Sequence, residues 1–166
     1  KANFQPDDTL VIAISKSGED ITQIEALSQF WDFPILVITE KDTPLYQIAQ
    51  KKSLDIFLHP EIGGRFTGLT EVALLPAAIC GFDIQTIFEG GRNEQKHFND
   101  DNSAWRLASV LFQLENEGFV DVFVPIYSHS FFNFAPLITQ LAHETFGKDG
   151  KGQTFFVTEG PEWQHH

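Results

Sequence analysis

Three short apolar runs, separated by amphipathic segments, constrain this chain more than any other feature. Thr9 to Ile14 is apolar and rich in β-branched residues without alternation, the pattern of a strand covered on both faces. From Glu19 to about Trp31, Ile21, Ile24, Leu27 and Phe30/Trp31 recur at helical spacing. "FPILVITE" (Phe33 to Glu40) is a second buried strand, with Pro34 tolerated at its start. Thr43-Pro44 then opens a helix to about Lys52, with Pro44 at the first helical position, and "LDIFLH" is a third strand. Strands alternating with helices in this way run parallel and are joined by right-handed crossovers.

After Gly63-Gly64 the pattern becomes helical, with breaks expected near Pro76, Gly81 and Gly90-Gly91. The polar stretch "GGRNEQKHFNDDN" is the best internal boundary, and Asn102 or Ser103 can cap the helix that runs to about Glu117. "FVDVFVPIY" reads as a strand, "SFFNFAPLITQLAHETFG" as a helix and "TFFVTEG" as another strand. The expected class is therefore α/β, with two αβα halves on parallel sheets joined by a helical middle segment. The corresponding divisions are 1–62, 63–101 and 102–166.

Composition removes several functional classes. The 166 residues suffice for one domain with a buried core, and 42% apolar with 20% charged residues is ordinary for a globular protein. The apolar runs are too short to span a bilayer, and no basic then apolar leader opens the chain. A net charge of −12 argues against a nucleic-acid surface, which needs clustered Lys and Arg. The one cysteine, Cys80, allows no internal disulfide, fits a reducing compartment and is expected to be an inert core thiol. The phenylalanines are likewise expected in the core. His59, His97, His129 and His143 show no metal-ligand spacing, so no metal site is expected.

One turn carries candidate chemistry. At the end of the first strand, Ser15-Lys16-Ser17-Gly18 puts two hydroxyls, a cation and a flexible backbone where a helix begins. A helix N-terminus offers unpaired N–H groups and a partial positive charge, which suits an anion. Glu19 and Asp20 follow at once and can satisfy the same groups as caps. On the residues alone, anion binding and capping stand open together.

Four blocks, in order, resemble one family. "LVIAISKSGEDITQIEAL" resembles the sugar-isomerase (SIS) domain pattern, in which a strand ends in S-x-S-G-x-T before a helix. "EIGGRFTGLTEVALLPAAICGFDIQTIFEGG" resembles the G-G-R-F-S signature region of phosphoglucose isomerases, "QLAHETFGKDGKG" the Q-L-x-x-E-S-x-G-K segment, and "GPEWQHH" the G-x-x-x-Q-H motif. The resemblance implies flavodoxin-like SIS halves. It also implies a partial copy: the G-x-G-G-S turn that precedes these blocks in the family, and the Q-G with a catalytic lysine that follows them, are absent from this sequence.

The resemblance further implies roles. Glu144 matches the glutamate that carries a proton between C1 and C2 of the opened sugar, work a carboxylate can do in both directions. Arg65 matches the arginine that stabilises the charge on the cis-enediol, and His165 the histidine that helps open the ring from across a dimer interface. The final His165-His166 pair also has the look of a purification-tag remnant, though the preceding "GPEWQ" favours a native motif. Ser15, Lys16 and Ser17 match the phosphate-binding turn. Asp20 falls where the family has a threonine that also grips phosphate, and its carboxylate would repel a dianion. Thr22 is a substitute donor, though helical spacing points it elsewhere.

The implied activity is interconversion of glucose 6-phosphate and fructose 6-phosphate, with no cofactor, in a cytoplasmic homodimer that shares its active sites. The alternatives are an isomerase that also accepts mannose 6-phosphate and a non-catalytic sugar-phosphate-binding module. A pure sensor would need the phosphate turn and not the base, so Arg65 and Glu144 together favour an enzyme.

Overall fold

A computed structural model of the chain describes residues 4–98 and 102–160. The chain divides between Lys96 and His97 into two compact units.

In the first unit, β1 (Val11–Ile14), β2 (Ile35–Thr39) and β3 (Asp55–Leu58) form a sheet in the order β1-β2-β3. Both pairings are parallel, with Val11 opposite Ile35 and Leu36 opposite Asp55. Between the strands run α1 (Ile21–Ser28) and α2 (Pro44–Lys51). Pro44 does open α2, and Thr43 caps it by accepting from the backbone N–H of Tyr46 at 3.2 Å. Leu27 of α1, Ile35 and Val37 of β2, and Leu45 and Ala49 of α2 form the core, with Val11, Ala13, Trp31, Leu54 and Ile56 packed against it. Burying an aliphatic side chain of this size is worth about 1.5–3 kcal/mol, which outweighs the weak helix propensity of two eight-residue helices.

The helical middle holds a 3₁₀ turn (Gly64–Leu69), α3 (Glu71–Ile79) and α4 (Ile84–His97). The expected break at Gly81 is present, with Gly81 at φ +84° between the two helices. The breaks expected at Pro76 and at Gly90-Gly91 are not. Pro76 lies inside α3, where it forgoes one backbone hydrogen bond while Cys80 still donates to its carbonyl at 3.0 Å. Gly90 and Gly91 lie inside α4, and a Cβ at Gly91 would strike Leu69 Cδ1, so this glycine serves close packing and not a turn. Cys80 is exposed, contrary to the expectation of a core thiol, because it caps the C-terminus of α3.

In the second unit, Asn102 caps α5 (Ser103–Asn116), accepting from Ala104 and Trp105 N–H at 2.9 and 3.1 Å. β4 (Asp121–Ile126) and β5 (Thr154–Glu159) pair in parallel, with α6 (Phe134–Phe146) between them in sequence and packed on β5. His143 Nε2 accepts from the Phe155 N–H at 3.0 Å, and Glu115 Oε1 accepts from Gly152 N–H at 2.9 Å, tying both helices to the entry of β5. A two-stranded sheet with one helix packed on it leaves much of its other face uncovered. Phe123 and Phe156 accordingly stack on each other in the open at 5.1 Å, and most of the phenylalanines are exposed rather than buried.

Candidate active site

The turn after β1 is built from the backbone outward. Ser15 N–H donates to Ile38 O at 3.0 Å, extending the β1–β2 ladder, and Lys16 O accepts from Glu40 N–H at 3.1 Å. Gly18 then adopts φ +59° and is buried. Its carbonyl accepts from Leu45 N–H at 3.1 Å, so the turn is fastened to the first turn of α2. Only glycine fits there: a Cβ would stand 2.6 Å from Thr43 Oγ1 and 2.9 Å from Leu45 Cβ. Thr43 is itself held by Thr39 Oγ1 at 3.0 Å and by Glu40 O at 3.0 Å. This bracing from α2 was missed in the sequence, where Thr43-Pro44 signalled only a helix start.

The side chains of the turn divide into two groups. Ser15 Oγ accepts from Gly18 N–H at 3.2 Å and Ser17 Oγ from Glu19 N–H at 3.4 Å. Each hydroxyl is thereby oriented through a lone pair, and its proton can still be donated to a ligand. Lys16 Nζ lies 3.6 Å from Glu40 Oε1 and is partly exposed. The second group closes the helix N-terminus. Asp20, not Glu19, is the cap of α1: Oδ1 accepts from Thr22 and Gln23 N–H at 2.9 and 3.4 Å and from Thr22 Oγ1 at 2.7 Å. The Thr22 hydroxyl first, then its backbone N–H, holds the Asp20 carboxyl below the usual carboxylate range. The helix N-terminus is thus occupied by the chain's own anion, and Thr22 is committed to it. An external anion would meet Ser15, Ser17 and Lys16, not the first amides of α1.

At the C-terminal ends of β1, β2 and β3 lies a polar cleft of about 590 Å³, lined by Lys16, Glu40, Lys41, His59, Glu61 and Glu71 among others. Ligands of open parallel sheets bind in this position, outside the carboxyl ends of the strands. A second, apolar groove of about 380 Å³ runs along β1 and α1 and has no titratable lining. Arg65 sits in the 3₁₀ turn, between Glu61 and Glu71 in sequence, and is partly buried. His59 is buried on the wall of the polar cleft, although the sequence marked it only as lacking metal-ligand spacing. Its position just past a parallel strand, beside proline, was the available signal.

Glu144 belongs to the second unit, exposed near the end of α6, where Gln140 one turn earlier donates to its Oε1 at 3.1 Å. The first unit therefore carries Ser15, Lys16, Ser17, Asp20 and Arg65, and the second carries Glu144. His165 lies outside the described residues. Among the described residues, no group of three or more His, Cys, Asp and Glu side chains is placed to hold a metal ion. Nor is any helix among them long and apolar enough to cross a membrane.

Comparison with known proteins supports the resemblance drawn from the four blocks. A glucose-6-phosphate isomerase of Thermus thermophilus is 33% identical to 98% of this chain, and the aligned part is 44% of that protein. A probable glucose-6-phosphate isomerase of Haloarcula marismortui is 31% identical over 95% of the chain and 39% of its own length. A glucose-6-phosphate isomerase of Mycoplasmopsis synoviae is 31% identical over 92% and 40%. No family model matches. Among solved structures, a hypothetical protein of Thermus thermophilus superposes on 99% of the chain with a TM-score of 0.87 and 27% identity, over 44% of its own chain. The chain thus spans roughly two-fifths of the length of these three relatives, and it is similar to that part of them over nearly all of its own length.

Proposed function

We propose that this chain is part of a glucose-6-phosphate isomerase, which interconverts glucose 6-phosphate and fructose 6-phosphate through a cis-enediol. The observation that carries this reading is the extent of the similarity. Relatives bearing that name align with 98% of the chain, so the phosphate turn, Arg65 and Glu144 all fall inside the aligned stretch.

In this reading, Ser15 and Ser17 donate hydroxyl protons to the substrate phosphate, and Lys16 supplies charge. His165 moves a proton to the ring oxygen and opens the sugar. Glu144 takes the proton from C2 of the aldose and delivers one to C1, while a proton passes from the O2 hydroxyl to O1, so that O1 becomes the hydroxyl and O2 the ketone. Arg65 stabilises the negative charge that builds on the enediol oxygens, for which a permanently charged planar fork is suited. Gln140, donating to Glu144, fixes the carboxylate's orientation. The aldose carbonyl acidifies the transferred proton, so the chemistry calls for no cofactor. A homodimer with shared active sites, a cytoplasmic location and a place in sugar-phosphate metabolism belong to the same proposal.

The test is a coupled assay on the full-length protein in both directions, with mannose 6-phosphate as a third substrate. Wild type should turn over both glucose and fructose 6-phosphate. Glu144→Gln should lower kcat by about 10²- to 10⁴-fold, the usual worth of a positioned general base. A folded full-length protein inactive on all three substrates would remove the enzyme reading.

A further inference from the structure

The polar cleft of the first unit contains a titratable side chain to which the reading above gives no role. His59 follows the last residue of β3, its N–H donating to Thr39 O at 2.9 Å, and it is only 5% exposed. Its Nδ1 lies 2.7 Å from the carbonyl oxygen of Pro60. A carbonyl can only accept, so Nδ1 carries a proton, and the neutral ring has its lone pair on Nε2. Among the described residues Nε2 has no hydrogen-bond partner, yet no buried side-chain nitrogen or oxygen is left unsatisfied. Nε2 is therefore at a surface, and the surface that this residue lines is the cleft. The result is a ring pinned at one nitrogen and enclosed on its sides, with one acceptor open to the cleft.

The other groups on the cleft say what such an acceptor is for. Lys16 and Lys41 are donors, whereas Glu40, Glu61 and Glu71 are acceptors. A bare anion would face three carboxylates, and an apolar molecule would pair with none of these groups. A molecule with many hydroxyls can donate to His59 and the carboxylates and accept from the lysines. A cleft of about 590 Å³ is within the usual range for a small-molecule site.

We propose that His59 is a substrate-recognising residue, its Nε2 accepting a hydrogen bond from a sugar hydroxyl of a ligand whose phosphate lies toward Lys16 in the same cleft. This rests on the sugar-phosphate reading above and adds to it the group that recognises the sugar rather than the phosphate.

Calorimetry on the full-length protein tests this, with glucose 6-phosphate and inorganic phosphate as separate titrants. His59→Phe keeps a buried ring and removes the acceptor. It should weaken glucose 6-phosphate binding about tenfold, the worth of one hydrogen bond with a partner left unpaired, and leave inorganic phosphate binding unchanged. In turnover the loss should appear in KM, with kcat altered little. His59→Gln, which can again present an oxygen acceptor, should restore most of the affinity. Equal glucose 6-phosphate affinity in wild type and His59→Phe would overturn the proposal. A parallel loss of both ligands in His59→Phe and His59→Gln would do so too, because a merely structural residue behaves that way. The two readings fail separately. Sugar-phosphate binding that depends on His59 without turnover refutes the isomerase alone, and turnover indifferent to His59 refutes this inference alone.

Discussion

Replacing Gly18 by alanine should unfasten the turn from α2. Two costs add. The residue sits at φ +59°, where an L-side chain costs about 1–2 kcal/mol relative to glycine. The new Cβ would also stand 2.6 Å from Thr43 Oγ1 and 2.9 Å from Leu45 Cβ. Neither neighbour is a flexible tip: Thr43 is held by Thr39, Glu40 O and Tyr46 N–H, and Leu45 is 2% exposed in the core. Overpacking of this kind typically costs about 1–3 kcal/mol. The sum is about 2–5 kcal/mol, which lowers the Tm of the full-length protein by a few degrees. Scanning calorimetry on the full-length protein reads this directly, with Gly90→Ala as the control. Gly90 lies inside α4 with open space at its Cβ and an ordinary helical backbone, so alanine there should stabilise by about 0.5–1 kcal/mol. If Gly18→Ala melts with the wild type while Gly90→Ala behaves as expected, the turn is not held against α2 as described. If the cost is relieved by Thr43→Ala in the same chain, the steric argument is right in detail.

Three further outcomes are expected. Asp20→Thr should tighten inorganic phosphate and glucose 6-phosphate alike in calorimetry, because it removes a negative charge from the turn while keeping a cap on α1; unchanged affinity would mean that the anion never approaches α1. Acid stability should depend on Asp20, the cap of α1, and on Asp83, which accepts from the Gln85 and Thr86 N–H groups at the start of α4, since both carboxyls are held below their ordinary range, by the hydroxyls of Thr22 and Thr86 first and by backbone N–H groups after them. A depressed folded-state pKa contributes stability that is present above the unfolded carboxylate range, near 3.9, and lost as pH falls through the folded value. The Asp20→Asn, Asp83→Asn double variant should therefore flatten the stability loss in that acid window, and an identical acid limb would contradict it. Finally, His143→Phe deprives the Phe155 N–H of its acceptor and should cost about 0.5–1.5 kcal/mol in urea unfolding; no change would mean that this contact does not tie α6 to β5.

Much of the fold was legible because local chemistry and tertiary structure agree. Unbroken β-branched runs gave the parallel strands, Pro44 after Thr43 gave the start of α2, and Asn102-Ser103 gave the start of α5, with Asn102 its cap in the structure. What was illegible depended on contacts between distant residues. Gly91 looked like a helix breaker, but it admits Leu69, and nothing in the local pattern reports a neighbour twenty-two positions away. Pro76 was overestimated as a break, since a nine-residue helix can forgo one internal hydrogen bond and continue. Cys80 followed an apolar run yet terminates a helix, where its side chain meets solvent.

The candidate site divides along the same line. The turn itself could be read from Ser15-Lys16-Ser17-Gly18, because a strand–turn–helix junction is local. That Asp20 rather than Glu19 closes α1 turns on a single φ/ψ choice, which periodicity does not determine. His59 could not be ranked from sequence, because its significance comes from burial and from which nitrogen Pro60 occupies. The acidic cap of α1 and the buried imidazole of His59 are thus products of the folded unit.

The most direct test of the central claim is deuterium uptake during turnover. The full-length protein, given fructose 6-phosphate in D₂O, should yield glucose 6-phosphate with deuterium at C2, read by NMR, because a carboxylate carrying the proton exchanges it with solvent between steps. The same experiment with Glu144→Gln should yield almost no product. Wild-type turnover carried to equilibrium over many cycles with no deuterium at C2, or undiminished turnover by Glu144→Gln, would contradict the account of Glu144 as the group that carries the proton.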